Sequence, residues 1–216
     1  MTAFVVAMDD EAEAVAKIFA DVAEETAFGR RVVKGSLGGE SVTMVVCGIG
    51  KANAAAGAQL ALARYGADRL VNVGVAGGLK PSMRPGETYT SERAVQYDFD
   101  LAKVNGTARG VLNECVTPYL PLIPVPGFPV EAIATGDAFT DDDSDIPFLR
   151  NDLGAGLRDM EAGAIAHVAF RAGVPASALK TITDVHGVAA SMTSQYKENL
   201  RDGLAALSLA VSRAFA

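Results

Sequence analysis

Short, almost wholly apolar runs alternate along this chain with longer stretches whose apolar residues recur every three or four positions. That pattern predicts buried strands alternating with amphipathic helices. Ala3 to Met8 is the first apolar run, and Asp9 to Ala23 reads as a helix with Ala12, Val15, Ala16, Phe19 and Val22 on one face. Arg31 to Leu37 and Ser41 to Ile49 flank Gly38-Gly39 and read as a hairpin, since a glycine pair supplies the positive φ angles of a tight turn. Lys51 to Tyr65 is an alanine-rich helix closed by Gly66, and Arg69 to Val75 is a largely apolar strand that Ala76-Gly77-Gly78-Leu79 should break. A helix between two buried strands requires a parallel crossover, and with it helices on both faces of a sheet.

Farther on, Glu87 to Gln96 reads as another strand, and Tyr97-Asp98-Phe99-Asp100 leads into a stretch with no regular pattern. Thr117 to Pro129 holds five prolines in thirteen residues, which rules out regular helix and leaves an ordered loop or an arm crossing a neighbouring chain. Val130 to Thr135 resumes as a strand, ended by Gly136-Asp137-Ala138-Phe139-Thr140 and an acidic turn from Asp141 to Asp145. Gly156 to Phe170 is a short strand-like run opening into a small-residue helix, with Met160 and Glu161 at the junction. Ala176 to Thr183 is a last strand, followed by Asp184-Val185-His186-Gly187 and a closing helix from about Thr193 to Phe215. With no repeat and no linker, residues 1–216 read as one α/β domain.

A chain of 216 residues buries enough surface to hold together without disulfides or a structural metal. No apolar run approaches the roughly 18 residues of a membrane-spanning helix. The N-terminus turns acidic at once instead of carrying a basic secretory leader, so a cytoplasmic protein is expected. Cys47 and Cys115 stand at no metal-ligand spacing, and Cys47 lies in an apolar run that suits a buried thiol. The acidic turn lacks the ligand spacing of a calcium loop and reads as solvated, so neither metal nor cofactor is expected. A formal charge of −7 argues against a nucleic-acid backbone as partner and favours a small, neutral or cationic ligand.

Three predicted strands end in carboxylates: Met8-Asp-Asp-Glu11, Arg158-Asp-Met-Glu161 and Thr181-Ile-Thr-Asp184. Open α/β sheets bind ligands beyond the carboxyl ends of their strands, so these three groups could meet in one pocket. Each has a plainer explanation beside that one. Glu11 could complement the dipole of the helix it opens, Glu161 could cap the next helix, and Asp184 could cap whatever follows it.

Taken together, Val6 to Glu11, Gly48-Ile-Gly-Lys-Ala-Asn-Ala-Ala55, Asn72-Val-Gly-Val-Ala-Gly-Gly-Leu79, Thr135-Gly-Asp-Ala-Phe139, Asp159 to His167 and Thr181 to Val185 resemble, in this order, the 5'-methylthioadenosine/S-adenosylhomocysteine nucleosidases. The resemblance implies a nucleoside phosphorylase-like fold, a central mixed β-sheet flanked by helices. It implies hydrolysis of the N-glycosidic bond between adenine and a 5'-thio-substituted ribose, in a homodimer, on a small purine nucleoside. By residue, it implies that Asp184 delivers a proton toward N7 of the base, Glu11 activates water, and Glu161 grips the ribose hydroxyls. Phe139 would stack on the purine, the backbone of Thr140 would bond its edge, and Met8 and Met160 would wall the ribose and its 5' substituent. Tyr196 would stand at the mouth of the 5' pocket. For both methionines and for Tyr196, core packing is the other reading.

The chain departs from that family's pattern at several places. Val75 replaces a customary Ser beside the ribose, Lys180 replaces an Arg near the attacking water, and His186 follows where a small residue is usual. His186 and His167 are both expected to be neutral and to support other residues. Between Asp100 and Val130 the proline-rich segment replaces a helix, in the region that shapes the dimer and the 5' pocket. The rival functions are a nucleosidase for another purine nucleoside of futalosine type, a phosphorylase, and a non-catalytic nucleoside binder on the same fold.

Overall fold

The computed structural model describes residues 1–140, 142, 144–188 and 190–216, so Asp141 and Asp143 of the acidic turn lie outside the described residues. The apolar runs become strands β1 (Thr2–Val6), β2 (Ala20–Ala27), β3 (Arg30–Leu37), β4 (Glu40–Val46), β5 (Arg69–Gly78), β6 (Thr88–Thr90), β7 (Arg93–Gln96), β8 (Leu120–Pro121), β9 (Ala132–Thr135), β10 (Ala155–Asp159) and β11 (Ala176–Val185). The α-helices are α1 (Asp9–Ala16), α2 (Lys51–Tyr65), a single turn α3 (Ala102–Asn105), α4 (Ala162–Ala172) and α5 (Met192–Phe215), and a π-helical turn spans Phe148–Asp152. Among the described residues, no helix is long and apolar enough to cross a membrane.

All the strands join one mixed sheet in the order β2-β3-β4-β1-β5-β10-β9-β7-β8, with β11 on β5 and β6 on β11. β1 lies parallel to both β4 and β5, and β5 is parallel to β11, so the helices between them cross over the faces as the pattern requires. Alternation along β1 divides the interior in two. Ala3 and Val5 face Val45, Ala54, Ala58 and Ile165, beneath α2 and α4. Phe4 and Val6 face Met44, Val71, Val73, Leu207 and Val211, beneath α1 and α5.

Four sequence expectations need correction. The helix expected from Asp9 to Ala23 stops at Ala16, and Ala20–Ala27 is an edge strand antiparallel to β3. The ladder with β3 and the cross-strand pairs Arg31–Glu24 and Lys34–Glu25 outweigh helical periodicity there, and Val22 is exposed instead of buried. Ala76-Gly77-Gly78 does not break β5, which runs through to Gly78. Its glycines make room for side chains arriving from other elements, Glu11 at Gly74 and Asp184 at Gly77. The strand expected from Glu87 to Gln96 divides at Ser91, whose hydroxyl donates to the carbonyls of Arg93 and Glu131, so that β6 joins β11 while β7 joins β8 and β9. Finally, β11 continues two residues past Thr183, so Asp184 is part of the strand.

The proline-rich segment is ordered over the chain's own surface. Leu122 N–H donates to Glu92 O, Ile123 N–H to Ala176 O and Val125 N–H to the Thr90 hydroxyl, while Leu120, Leu122 and Val125 are buried.

Candidate active site

The turn from β1 into α1 builds the first part of the site. Met8 is the residue before the helix, and Glu11, three positions on, turns its carboxylate back to accept from Ala7 N–H and Met8 N–H, both at 3.0 Å. The other oxygen, Oε1, accepts from Val75 N–H at 2.9 Å. A Cβ at Gly74 would lie 2.5 Å from that oxygen, so β5 needs glycine there to admit the carboxylate. Burial raises the Glu11 pKa, and the Lys180 ammonium and the three amides oppose it without prevailing. Glu11 thus does complement a helix start, yet its carboxylate also reaches a second strand and a cavity.

The second part is a buried charge cluster. Asp159, not Glu161, serves the start of α4: its Oδ2 accepts from Ala162 N–H at 2.8 Å and its Oδ1 from the Thr135 hydroxyl at 2.5 Å. Glu161 is therefore free to reach across the molecule, where Oε1 accepts from Gly50 N–H at 3.0 Å, at the start of α2. Lys180 Nζ lies 2.9 Å from Asp159 Oδ2 and 3.7 Å from Glu161 Oε2. Burial works against the Lys180 charge, but Asp159, Glu161 and Glu11 outweigh it and raise its pKa. Burial, with help from Asp159 and Glu11, pushes Glu161 up to about 7 against the pull of Lys180. Three buried acids around one lysine favour a cation in their midst.

The third part is Asp184, which is 2% exposed and accepts from the Thr183 hydroxyl at 2.7 Å. A Cβ at Gly77 would come within 2.8 Å of Asp184 Oδ2, so the second of the β5 glycines makes room for this carboxylate. Phe139 and Tyr196 meet edge to face at 5.6 Å between ring centres, closing the cavity from the loop after β9 and from the start of α5.

These parts enclose a cavity of about 270 Å³. Met8, Glu11, Val75, Phe139, Thr140, Met160, Glu161, Asp184 and Tyr196 all line it, so nine of the ten residues expected from sequence converge. Lys180 does not; it stands behind the wall, paired with Asp159 and Glu161. His186 also lines the cavity, whereas His167 bonds Gln96 and Glu114 away from it. Cys47 is buried, and burial pushes its thiol up to about 12, which keeps it inert. Sequence reasoning missed Arg158, Asp159 and Met192 as wall residues. A signal for the first two existed: a pair of charges ending an otherwise apolar strand, Ala155–Asp159, whose residues are all buried.

The raised Glu161 pKa has a stability consequence. Between its ordinary value of 4.5 and about 7, folded Glu161 keeps a proton that the unfolded chain gives up. Its contribution is complete below pH 4.5 and is lost as pH rises toward 7, a change on the order of a few kcal/mol. Lys180 stays charged throughout. Urea titrations across this range are expected to show wild type losing more stability than Glu161→Gln, with a smaller slope of the same sign left from Glu11. Equal slopes in the two proteins would show that Glu161 ionises normally.

Comparison with known proteins places this geometry in context. A family model described as the phosphorylase superfamily matches residues 2–216. The 5'-methylthioadenosine/S-adenosylhomocysteine nucleosidase of Geobacillus kaustophilus is 31% identical over 215 residues, covering 87% of this chain and 86% of that one. That of Marinomonas is 29% identical over 195 residues, covering 84% of each. Among solved structures, a mutant of the Helicobacter pylori nucleosidase with 5'-methylthioadenosine in its active site superposes with a TM-score of 0.89, at 20% identity over 99% of this chain and 96% of the other. The futalosine hydrolase of the same organism gives a TM-score of 0.87, at 20% identity over 96% of this chain and 94% of that one.

Proposed function

This chain belongs to the phosphorylase superfamily and, within it, to the 5'-methylthioadenosine/S-adenosylhomocysteine nucleosidases, and from that footing we propose that its cavity hydrolyses the N-glycosidic bond of 5'-thio-substituted adenosines, with Asp184 as acid and Glu11 as base. The observation that carries this reading is the arrival of Glu11, Glu161 and Asp184, from three distant segments, on the wall of one cavity. Such a bond breaks with positive charge growing on the ribose. Protonated Asp184 donates to N7, so the base leaves as neutral adenine. Glu11 takes a proton from the attacking water, and the oxygen so freed bonds to C1' of the ribose. Both Glu11 oxygens already accept from amides, which fixes their orientation, and a carboxylate has about four acceptor sites, so room remains for the water's proton. Glu161 holds the ribose hydroxyls, and its charge, supported by Lys180, favours the cationic sugar over the neutral substrate. Phe139 stacks on the base, and Met8, Met160 and Tyr196 enclose the 5' substituent.

The rival reading, phosphate as nucleophile, meets the acidic first turn Asp9-Asp10-Glu11 beside the cavity, which repels an anion. Exposed Ile49 and Phe139 at the cavity mouth support a second copy of the chain closing over this side. The experiment is adenine release from 5'-methylthioadenosine with and without phosphate, on protein whose mass is determined by sedimentation. The expected result is a dimer with the same rate in both buffers. Release that requires phosphate would make the protein a phosphorylase, and tight binding with no product would make it a binder.

A further inference from the structure

Asp184 sits at a fault in its own strand. β11 keeps register with β5 as far as Ile182, opposite Ala76, and then carries one extra residue, so that Thr183 is passed over and Asp184 stands opposite Gly77. Alternate side chains of a strand point to opposite faces, so without this bulge Asp184 would follow Ile182 toward the apolar core. The bulge turns it to the cavity instead. It also leaves backbone groups to be satisfied. β6 pairs with β11 only as far as Thr181, and beyond that point no strand among the described residues flanks the outer side of β11.

Two side chains of α5 take the place of that strand. Asn199 Nδ2 donates to Thr183 O at 3.0 Å. Gln195 Oε1 accepts from Val185 N–H at 3.0 Å and its Nε2 donates to Val185 O at 3.0 Å, the two-bond ring that a residue of a paired strand would make. The same Nε2 donates to Ala190 O, also at 3.0 Å. Thr183 O belongs to the peptide group before Asp184, and Val185 N–H belongs to the one after it. The two amides therefore hold both of the rigid planes between which the Asp184 side chain is set. Gln195 and Asn199 lie four residues apart, on one face of α5. Gly203, four residues farther on, brings that face close, since a Cβ there would lie 3.1 Å from the Thr183 side chain. Neither amide lines the cavity, so any effect they have on the reaction passes through Asp184.

We propose that Gln195 and Asn199 are positioning residues for proton delivery: by fixing the peptide groups on both sides of Asp184, they aim its carboxyl group at the leaving base. This rests on reading Asp184 as the acid of a nucleosidase. The test compares kcat for two substrates in wild type, Gln195→Met and Asn199→Ala. Adenine release from 5'-methylthioadenosine needs the proton, whereas release of 4-nitrophenolate from the 4-nitrophenyl glycoside of 5-methylthioribose does not. The ratio of the two rates is unmoved by a general loss of folded protein. A catalytic group about 1 Å out of place loses on the order of 10²-fold in rate. The adenine-to-nitrophenolate ratio should therefore fall about 10- to 100-fold in Gln195→Met, and by a smaller factor in Asn199→Ala, with KM for 5'-methylthioadenosine little changed. Should Gln195→Met fail to fold, Asn199→Ala decides alone, because it removes one hydrogen bond at a half-buried position. A ratio that stays at the wild-type value, whatever happens to the separate rates, overturns the proposal and leaves the nucleosidase reading standing, since wild type still releases adenine. A wild type that releases neither product ends that reading and the proposal with it.

Discussion

Glutamine in place of Glu11 is expected to lower kcat for adenine release by about 10²- to 10⁴-fold, the range of a lost general base. The fold should survive. Glutamine keeps the shape, and it removes a charge that burial already disfavours, as the raised pKa of Glu11 records. Against that gain, its amide hydrogens must face at least one of the three N–H donors of Ala7, Met8 and Val75, a mismatch of about 1–3 kcal/mol. The two effects oppose each other, so the melting temperature should move little while turnover collapses. The pH profile is the sharper measurement. Wild-type activity should fall as pH drops through the raised pKa values of Glu11 and Glu161. Glu11→Gln should retain only the part due to Glu161. A variant with near-normal kcat and an unchanged acid limb would remove Glu11 from the mechanism.

That such an experiment can be designed around a residue visible in the sequence follows from how this fold writes its site. Apolar runs as clear as Ala3 to Met8 and Ala176 to Thr183 are legible as buried strands, and an acid at the end of such a run is conspicuous. Residues 51–65 were legible as α2 for the same reason, since periodicity and the closing glycine agree. Elsewhere the deciding forces are not local. Ala20–Ala27 has a helical pattern, but its backbone hydrogen bonds go to β3, and one sequence cannot announce its partner. Ala76-Gly77-Gly78 looks like a break because glycine usually is one in a strand. Here Gly74 and Gly77 are hollows filled by Glu11 and Asp184, carboxylates that arrive from 63 and 107 residues away in the numbering. Lys180 falls on a strand whose residues are all buried, and only three-dimensional structure separates the wall of the cavity from the layer behind it. The same limit hid Asp159, which takes over the helix start and so releases Glu161 to reach Gly50.

Asn in place of Asp184 is expected to reduce kcat by a similar factor, about 10²- to 10⁴-fold, for a different reason. Its carboxamide can still accept from the Thr183 hydroxyl, as Asp184 does at 2.7 Å, and it fits the hollow at Gly77. It can hydrogen-bond N7 but cannot transfer a proton, so adenine would have to leave as an anion. The interaction lost is one made mainly in the transition state, and KM should change far less than kcat. The decisive comparison uses a 5'-thio riboside whose leaving group is 4-nitrophenolate, which departs without a proton. On that substrate Asp184→Asn should recover most of its rate while Glu11→Gln remains impaired, because water must still be activated. Loss of both substrates alike in Asp184→Asn would mean that Asp184 holds the site together instead of supplying a proton, and the acid would have to be sought in another group on the same wall.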